Sequence, residues 1–393
     1  MSSRRPIGVL LFCLGACGGT QPTPAAAPAA PAPPAIELAE SWPLGTSLDH
    51  ADVVDAADLW PRMFDGAART IDLGEFYLSN GPEPGAPFSG KLEPALAALE
   101  RAAARGVRVR LLVDETFHAK YPETVARLGA KGVAVRRWDV AKATGGVLHA
   151  KYFVVDGREA YLGSQNFDWR SLAHIHEIGA HLGDLAVVAG LAAIFGGDWE
   201  RAEGQVPQAV VAIPASPSLR LAASPASMLP PGVPWDLPEL TAAIGRARHR
   251  IRVQLLTYKT KARDGTPFPT LDDALRAAAA RGVQVELVIS HWGEKDPSLR
   301  ALAQVPGIAV SIVTIPKGDF GDIPFARVAH AKYMVVDDAE CWVGTSNWEA
   351  DYFTKSRNVG VFYTNAAFAT RLGRVFEDVR SSGYTRRLTP DRE

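Results

Sequence analysis

Cysteine is scarce in this sequence: three in 393 residues, with Cys13 and Cys17 near the start and only Cys341 further along. A fold with one late cysteine cannot be held by intrachain disulfides, so its hydrophobic core must suffice. An excess of either charge is also missing, with 42 basic against 43 acidic residues. Without a net field the surface as a whole gathers neither long nucleic acid nor an anionic membrane. That argues against a duplex-DNA binder and leaves room only for a locally basic cleft. Long apolar runs are lacking too, since the stretch from Ile7 to Ala16 is too short to cross a bilayer. What is present is a 47% hydrophobic composition, enough for a substantial core in one large domain or two ordinary ones.

The start of the chain reads as targeting rather than fold. Arg4 and Arg5 precede the Ile7–Ala16 run, which is the order of a secretory signal. The run ends in Leu14-Gly15-Ala16-Cys17-Gly18, which resembles the lipobox of bacterial lipoproteins. The resemblance implies cleavage before Cys17 and acylation of its thiol, and so a lipoprotein anchored to a membrane of the bacterial cell envelope, periplasmic or at the surface. Residues 18–35 are rich in Pro and Ala and almost uncharged, the composition of an extended tether. The expected division is a signal over 1–16, a tether over 17–36, a first half over 37–206, a crossover over 207–238 and a second half over 239–393.

Beyond the tether the sequence repeats itself. Arg69-Thr-Ile-Asp-Leu-Gly-Glu-Phe-Tyr-Leu78 is answered by Arg250-Ile-Arg-Val-Gln-Leu-Leu-Thr-Tyr258, both with strand character. Leu92–Glu115 is answered by Leu271–Ser290; in each an alanine-rich helix ends at Arg-Gly and a short apolar strand follows. Such units predict an α/β fold with a mixed, mostly parallel sheet flanked by helices in each half. The third correspondence is the strongest, His149-Ala-Lys-Tyr-Phe-Val-Val-Asp156 against His330-Ala-Lys-Tyr-Met-Val-Val-Asp337. Val206 to Pro238 holds many prolines and little periodicity and reads as the crossover. Each half alone has few elements, so one bilobal domain of two pseudo-twofold-related halves is expected.

Residues two apart in a strand face the same side, which would project His149 with Lys151 and His330 with Lys332. Beyond each motif lies a polar turn, Gly163-Ser164-Gln165-Asn166 and Gly344-Thr345-Ser346-Asn347. His-x-Lys, four residues, Asp, six residues, then Gly-Ser/Thr-x-Asn resembles the HKD motif of phospholipase D enzymes, and it occurs twice without departure. Gly163 to Leu172, Ile289-Ser-His-Trp-Gly293 and Gly344-Thr-Ser-Asn-Trp348 look like the branch that holds animal lysosomal phospholipase-D-like exonucleases and poxvirus envelope relatives. The resemblance runs over roughly residues 45–385 and implies the bilobal phospholipase D fold.

The residue types fit that chemistry. A phosphodiester is anionic and slow to hydrolyse, so a catalyst needs charge stabilisation, a nucleophile and a proton for the leaving oxygen. Lys151, Lys332 and the amides of Asn166 and Asn347 can hold the non-bridging oxygens, so neither a metal nor another cofactor is expected. One histidine can attack phosphorus to give a phosphohistidine while the other protonates the departing alcohol, then acts as base on water or a second alcohol. Only one half keeps an acidic partner, for Glu177 follows Gly163 at the spacing where Asn358 follows Gly344. The sequence does not say which histidine Glu177 serves. By resemblance, His149 is assigned as nucleophile and His330 as acid.

Asp156 and Asp337 would face away from the His/Lys pairs and are read as structural, in ion pairs or turns. His174, His176 and His181 with Glu177 form a tempting ligand set, but Glu177 is taken up by catalysis and no metal is assigned. Ser164, Thr345, Ser346, Trp292 and Trp348 are candidate substrate contacts, with Phe167, Trp169 and Tyr352 as further aromatics that suit a base or a lipid. The leading expectation is a metal-independent phosphodiesterase on membrane phospholipids, by hydrolysis or transphosphatidylation, held near its substrate by the lipid anchor. A single-strand nucleic-acid exonuclease using the same site is the alternative. A non-catalytic binding protein of the same fold is a third reading, disfavoured by intact catalytic positions.

Overall fold

The alanine-rich segments fold as helices because one stripe of each is apolar. In Glu93–Ala104 the buried positions are Ala95, Leu96, Ala98, Leu99 and Ala102, and in Thr270–Ala280 they include Leu271, Leu275 and Ala278, the spacing of a helix laid on a sheet. Each helix stops where a glycine takes a left-handed backbone, Gly106 at φ 88° and Gly282 at φ 89°. The strands Arg108–Asp114 and Gln284–Ser290 follow at once. The computed structural model describes residues 33–81, 90–208, 213–214 and 216–389. The expected signal, most of the expected tether and Cys17 lie outside the described residues.

Two eight-stranded sheets carry the fold. Neighbours in the first run Val54–Asp55, Ile36–Ser41, Glu177–Leu182, Glu159–Gly163, Lys151–Val155, Thr70–Glu75, Arg108–Asp114 and Ala134–Trp138. In the second they run Leu219–Ser224, Asn358–Thr364, Glu340–Gly344, Tyr333–Val336, Arg250–Leu255, Gln284–Ser290, Ile308–Val313 and Thr385–Arg387. From Ile36–Ser41 and Leu219–Ser224 onward the two orders correspond strand for strand, which is the pseudo-twofold relation the repeat predicts. Each sheet is mixed: the strands joined by the alanine-rich helices pair in parallel, and those that carry the motifs pair antiparallel.

The stretch expected as the crossover holds elements of its own. Leu219–Ser224 is an edge strand of the second sheet, antiparallel to Asn358–Thr364, in the place that Ile36–Ser41 holds against Glu177–Leu182. Its prolines flank it rather than interrupt it, which an edge strand tolerates and a periodicity reading hides. The following helix, Asp236–Arg246, also begins inside that stretch.

Three buried clusters fill the protein. One backs the first sheet, with Ile71, Leu73 and Leu96 among its members, and one backs the second, with Ile251, Val253 and Leu275. The third is shared: Leu38, Leu148, Leu162 and Leu191 of the first half pack in one cluster with Val335, Val343, Val359 and Phe376 of the second. A common core of this kind joins the halves into one folding unit.

The two motif aspartates pin each central strand. Asp156 and Asp337 sit in turns at φ 54° and φ 52°. The Asp156 carboxylate accepts from the backbone N–H of Ala68, Arg69 and Thr70, and that of Asp337 from Arg248, His249 and Arg250. Each thus satisfies three main-chain donors where a strand begins, donors that would otherwise lack a partner in the fold.

Candidate active site

Neither His-x-Lys motif lies wholly within a strand, as its spacing had led us to expect. The first strand opens at Lys151 and the second at Tyr333, so His149, His330 and Lys332 precede them. The histidines are held by the backbone of the opposite half instead. Leu148 makes a parallel bridge with Arg357, and Ala329 makes one with His176. The N–H of His149 donates to the Arg357 carbonyl at 2.9 Å, and that of His330 to the His176 carbonyl at 2.8 Å. Gly146 permits the approach, since a Cβ there would lie 2.4 Å from the backbone of Lys355. Arg357 is itself locked by Asp198 of the first half through bonds of 2.7 and 2.8 Å, with both side chains fully buried.

The residue after each bridge reaches the histidine side chain. Asn358 Oδ1 lies 2.9 Å from His149 Nδ1 and also accepts from the Thr345 hydroxyl at 2.8 Å. The Asn358 amide nitrogen donates to the Tyr352 carbonyl at 2.8 Å, which fixes Oδ1 as the atom facing the ring. An acceptor there holds the proton of His149 on Nδ1 and leaves Nε2 with its lone pair. On the other side Glu177 Oε2 lies 2.8 Å from His330 Nδ1, while Oε1 accepts from Ser171 at 3.0 Å. Glu177 therefore serves His330, the histidine of the other half.

Lys151 and Lys332 each donate from Nζ to the carbonyl of the histidine in their own motif. Burial pulls Lys151 well below the usual lysine range, with the Lys332 charge adding to it, and brings Lys332 to about 7 against the pull of Glu177. Burial likewise drives His149 and His330 below the ordinary histidine value, and both lysines push the same way. Glu177 is raised to about 7 by burial, opposed by the Lys332 charge. His330 and Glu177, pushed toward neutrality from opposite sides and in contact, hold one proton between them near neutral pH. The two lysines and two histidines thus meet in one water-poor cluster. Asn166 and Asn347 are buried with their Oδ1 atoms unpartnered.

Several expected contacts lie behind this cluster. Ser164 bonds the main chain of Ile178, Thr345 bonds Asn358 and Val359, and Ser346 faces Asp236. These hydroxyls brace the frame around the cluster. Phe167, Trp169 and Trp348 are fully buried in the sheet-backing cores. Trp292 is 45% exposed and lines a cleft of about 470 Å³ with Ile315, Ile323 and Phe325. Tyr352 stands edge-on to His149 with centroids 4.7 Å apart. The tempting ligand set disperses: His174 packs against Trp169 and Phe320, His176 meets Gln254, and His181 lies between Glu37 and Glu159. Among the described residues no three His, Cys, Asp or Glu side chains converge in a way that could hold a metal ion.

The sequence reading passed over an aromatic run and two structural supports. Phe76 meets His149 edge-on at 4.9 Å, and Phe117, Tyr77 and Tyr121 continue from it ring to ring. Asp198 is a buried carboxylate in a mostly apolar helix, and Glu75 is one at the buried end of a strand. That mismatch of residue and surroundings was the available signal.

The family described as cardiolipin synthase, PLD-like domain, matches residues 62–199 and again 240–380, once in each half. The chain belongs to the phospholipase D superfamily. As a member of the phospholipase D superfamily it is a phosphodiester hydrolase. It is similar to Phospholipase D Z of Dictyostelium discoideum, 33% identical over 384 residues that span 89% of this chain and 90% of that protein. It is also similar to 5'-3' exonuclease PLD3 of Homo sapiens, 32% identical over 366 residues that span 83% of this chain and 74% of that one. Among solved structures, phosphatidylserine synthase of Haemophilus influenzae superposes with a TM-score of 0.60 over 84% of this chain and 85% of that chain. At 11% identity that likeness speaks for the fold alone.

Proposed function

We propose that this phosphodiesterase works by two displacements through a phosphohistidine, with His149 as nucleophile and His330 as acid and base. The observation that carries the reading is the inequality of their partners. A neutral amide oxygen at 2.9 Å leaves His149 uncharged with Nε2 free to attack. A carboxylate at 2.8 Å favours the imidazolium form of His330, which has a proton to give to the departing oxygen. Lys151 and Lys332, with the amides of Asn166 and Asn347, hold the non-bridging oxygens as negative charge grows on them. Neutral His330 then takes a proton from water or an alcohol as that oxygen displaces His149 from phosphorus. No step calls on a metal ion.

The substrate we propose is a phospholipid. The balanced charge supports it, as do Trp292 and Phe325, two of the four exposed large apolar side chains among the described residues, which line one cleft, and the likeness to Phospholipase D Z over 89% of this chain. The aromatic run that ends on His149 favours a second reading, a single-stranded nucleic acid whose bases stack on it, in line with the likeness to the exonuclease PLD3. Purified protein offered phospholipid vesicles and labelled single-stranded oligonucleotides separates the two. Cleavage of oligonucleotides alone would replace the lipid reading, and inertness toward both would overturn the phosphodiesterase mechanism.

We further propose that acylated Cys17 anchors the protein in the cell envelope. The lipobox-like sequence supports this, and among the described residues no helix is long and apolar enough to cross a membrane. Cys17→Ser should move the protein from the membrane fraction to the soluble one. An unchanged distribution would count against the anchor.

A further inference from the structure

We infer that Glu75 is a positioning residue for Lys151, the counter-charge that keeps the first half's lysine protonated as it meets the phosphoryl group. The inference deepens the phosphodiesterase reading above and rests on it.

Glu75 ends the strand Thr70–Glu75 and is the direct antiparallel partner of Lys151. Directly opposed residues point to the same face of a sheet with Cβ atoms about 5 Å apart. Burial raises Glu75 well above the usual carboxylate range, and the Lys151 charge holds it down against that rise. Both are buried, at 2% and 1% exposure. Lys151 Nζ also lies over the ring of Phe76, 4.8 Å from its centroid, and donates to the His149 carbonyl. Its position is thereby fixed at the end of the strand that carries Glu75.

Glu75 Oε2 is buried without a hydrogen-bond partner. The other carboxylates that face Lys151 are committed elsewhere. Asp114 accepts from the backbone N–H of Leu148 at 2.8 Å and of Phe117 at 3.0 Å. Glu177 is held by His330 and Ser171. The remaining groups acting on Lys151 and its histidine are cations or neutral rings, Lys332 and His330 from the second half and His149 from its own motif. Glu75 also acts on the buried hydroxyls of Tyr152, on the adjacent strand, and Tyr161, one strand further.

The second half carries nothing like it. Continuing the register of Gln254 with Tyr333 sets Leu255 opposite Lys332, and Lys332 instead feels Glu177. The carboxylates that act on the two lysines, Glu75, Asp114 and Glu177, therefore all come from the first half. With His330 protonated and a phosphodiester bound, Glu75, Glu177 and the phosphate offset two lysines and one imidazolium. A buried site carrying an unbalanced charge is costly, and shedding a proton is the usual relief. Without Glu75, Lys151 loses the carboxylate on its own face that has an uncommitted oxygen, and its proton becomes easier to shed.

The test uses the full protein, with Glu75→Gln and with Glu75→Leu, which copies the residue beside Lys332. Binding of inorganic phosphate by calorimetry and kcat/KM on the turned-over phosphodiester are followed across a pH series, with thermal unfolding as a check. Loss of both on the alkaline side should begin about one pH unit lower in the variants, a tenfold loss at a fixed pH on that limb, with the acid side unmoved. A uniform loss at every pH, an unshifted limb, or failure of both variants to fold would overturn the assignment and mark Glu75 as structural. Phosphate binding without turnover of any phosphodiester by the unaltered protein would sink the mechanism instead, so the two failures are distinguishable.

Discussion

Glu177 and His330 belong to opposite halves, yet Oε2 of the one lies 2.8 Å from Nδ1 of the other. The pseudo-equivalent contact runs the other way, from Asn358 of the second half to His149 of the first. Twofold repetition thus yields two histidines in like positions with unlike partners, and that difference is enough to divide labour between them.

Leaving-group dependence should expose the division. His149→Ala removes the proposed nucleophile and should abolish turnover of every diester. His330→Ala removes the proton donor of the first step and the base of the second. In the first step, read as the burst of released alcohol, loss should be about 10²–10⁴-fold for an alkyl ester and much smaller for a nitrophenyl ester, whose oxygen leaves unprotonated. Equal losses on both substrates would refute His330 as the acid.

The pH profile of kcat/KM should peak on the acid side of neutrality. His149 attacks only when unprotonated, and its pKa is depressed, so activity is present above that low value. Lys151 and Lys332 must both keep their protons to stabilise the anion, and burial lowers both, Lys332 to about 7, so activity is lost as pH rises through that region. An alkaline limb near the ordinary lysine value would contradict this.

A covalent intermediate makes water replaceable. Added primary alcohol should divert product to the corresponding phosphoester, and a chiral phosphorothioate should react with net retention, as two displacements require. Inversion would indicate direct attack by water.

Asp156→Ala and Asp337→Ala should each strip three main-chain donors of their acceptor and cost about 1–3 kcal/mol or more in urea unfolding. Activity per folded molecule should stay near that of the unaltered protein. A specific loss of kcat without loss of stability would assign these aspartates a role in the chemistry.

Much of the fold could be read in advance because its signals are local. The alanine-rich helices carry their apolar stripe and their Arg-Gly ends in consecutive residues, and the His-x-Lys repeats stand out against apolar neighbours. The site lysines and histidines were visible for the same reason. What escaped depends on tertiary approach. Leu219–Ser224 shows as a strand only once Asn358–Thr364 lies beside it. Glu177 was visible as a carboxylate, but its service to His330 follows from a bridge between Ala329 and His176 that no spacing encodes. Trp348 and Trp169 beside the polar turns read as aromatics for a base or a lipid, and only the packed fold shows them buried in the sheet-backing cores.

The exchange of backbone across the halves also governs when the protein can act. A nascent chain grown as far as Arg201 already holds His149, Lys151 and Glu177, but His149 lacks its Asn358 and the Arg357 carbonyl that orients it. On the proposed mechanism such a half-made chain is inert. Hydrolytic power then arrives late, with the strand Asn358–Thr364, so the cell that makes the protein is spared an active phosphodiesterase for most of its synthesis.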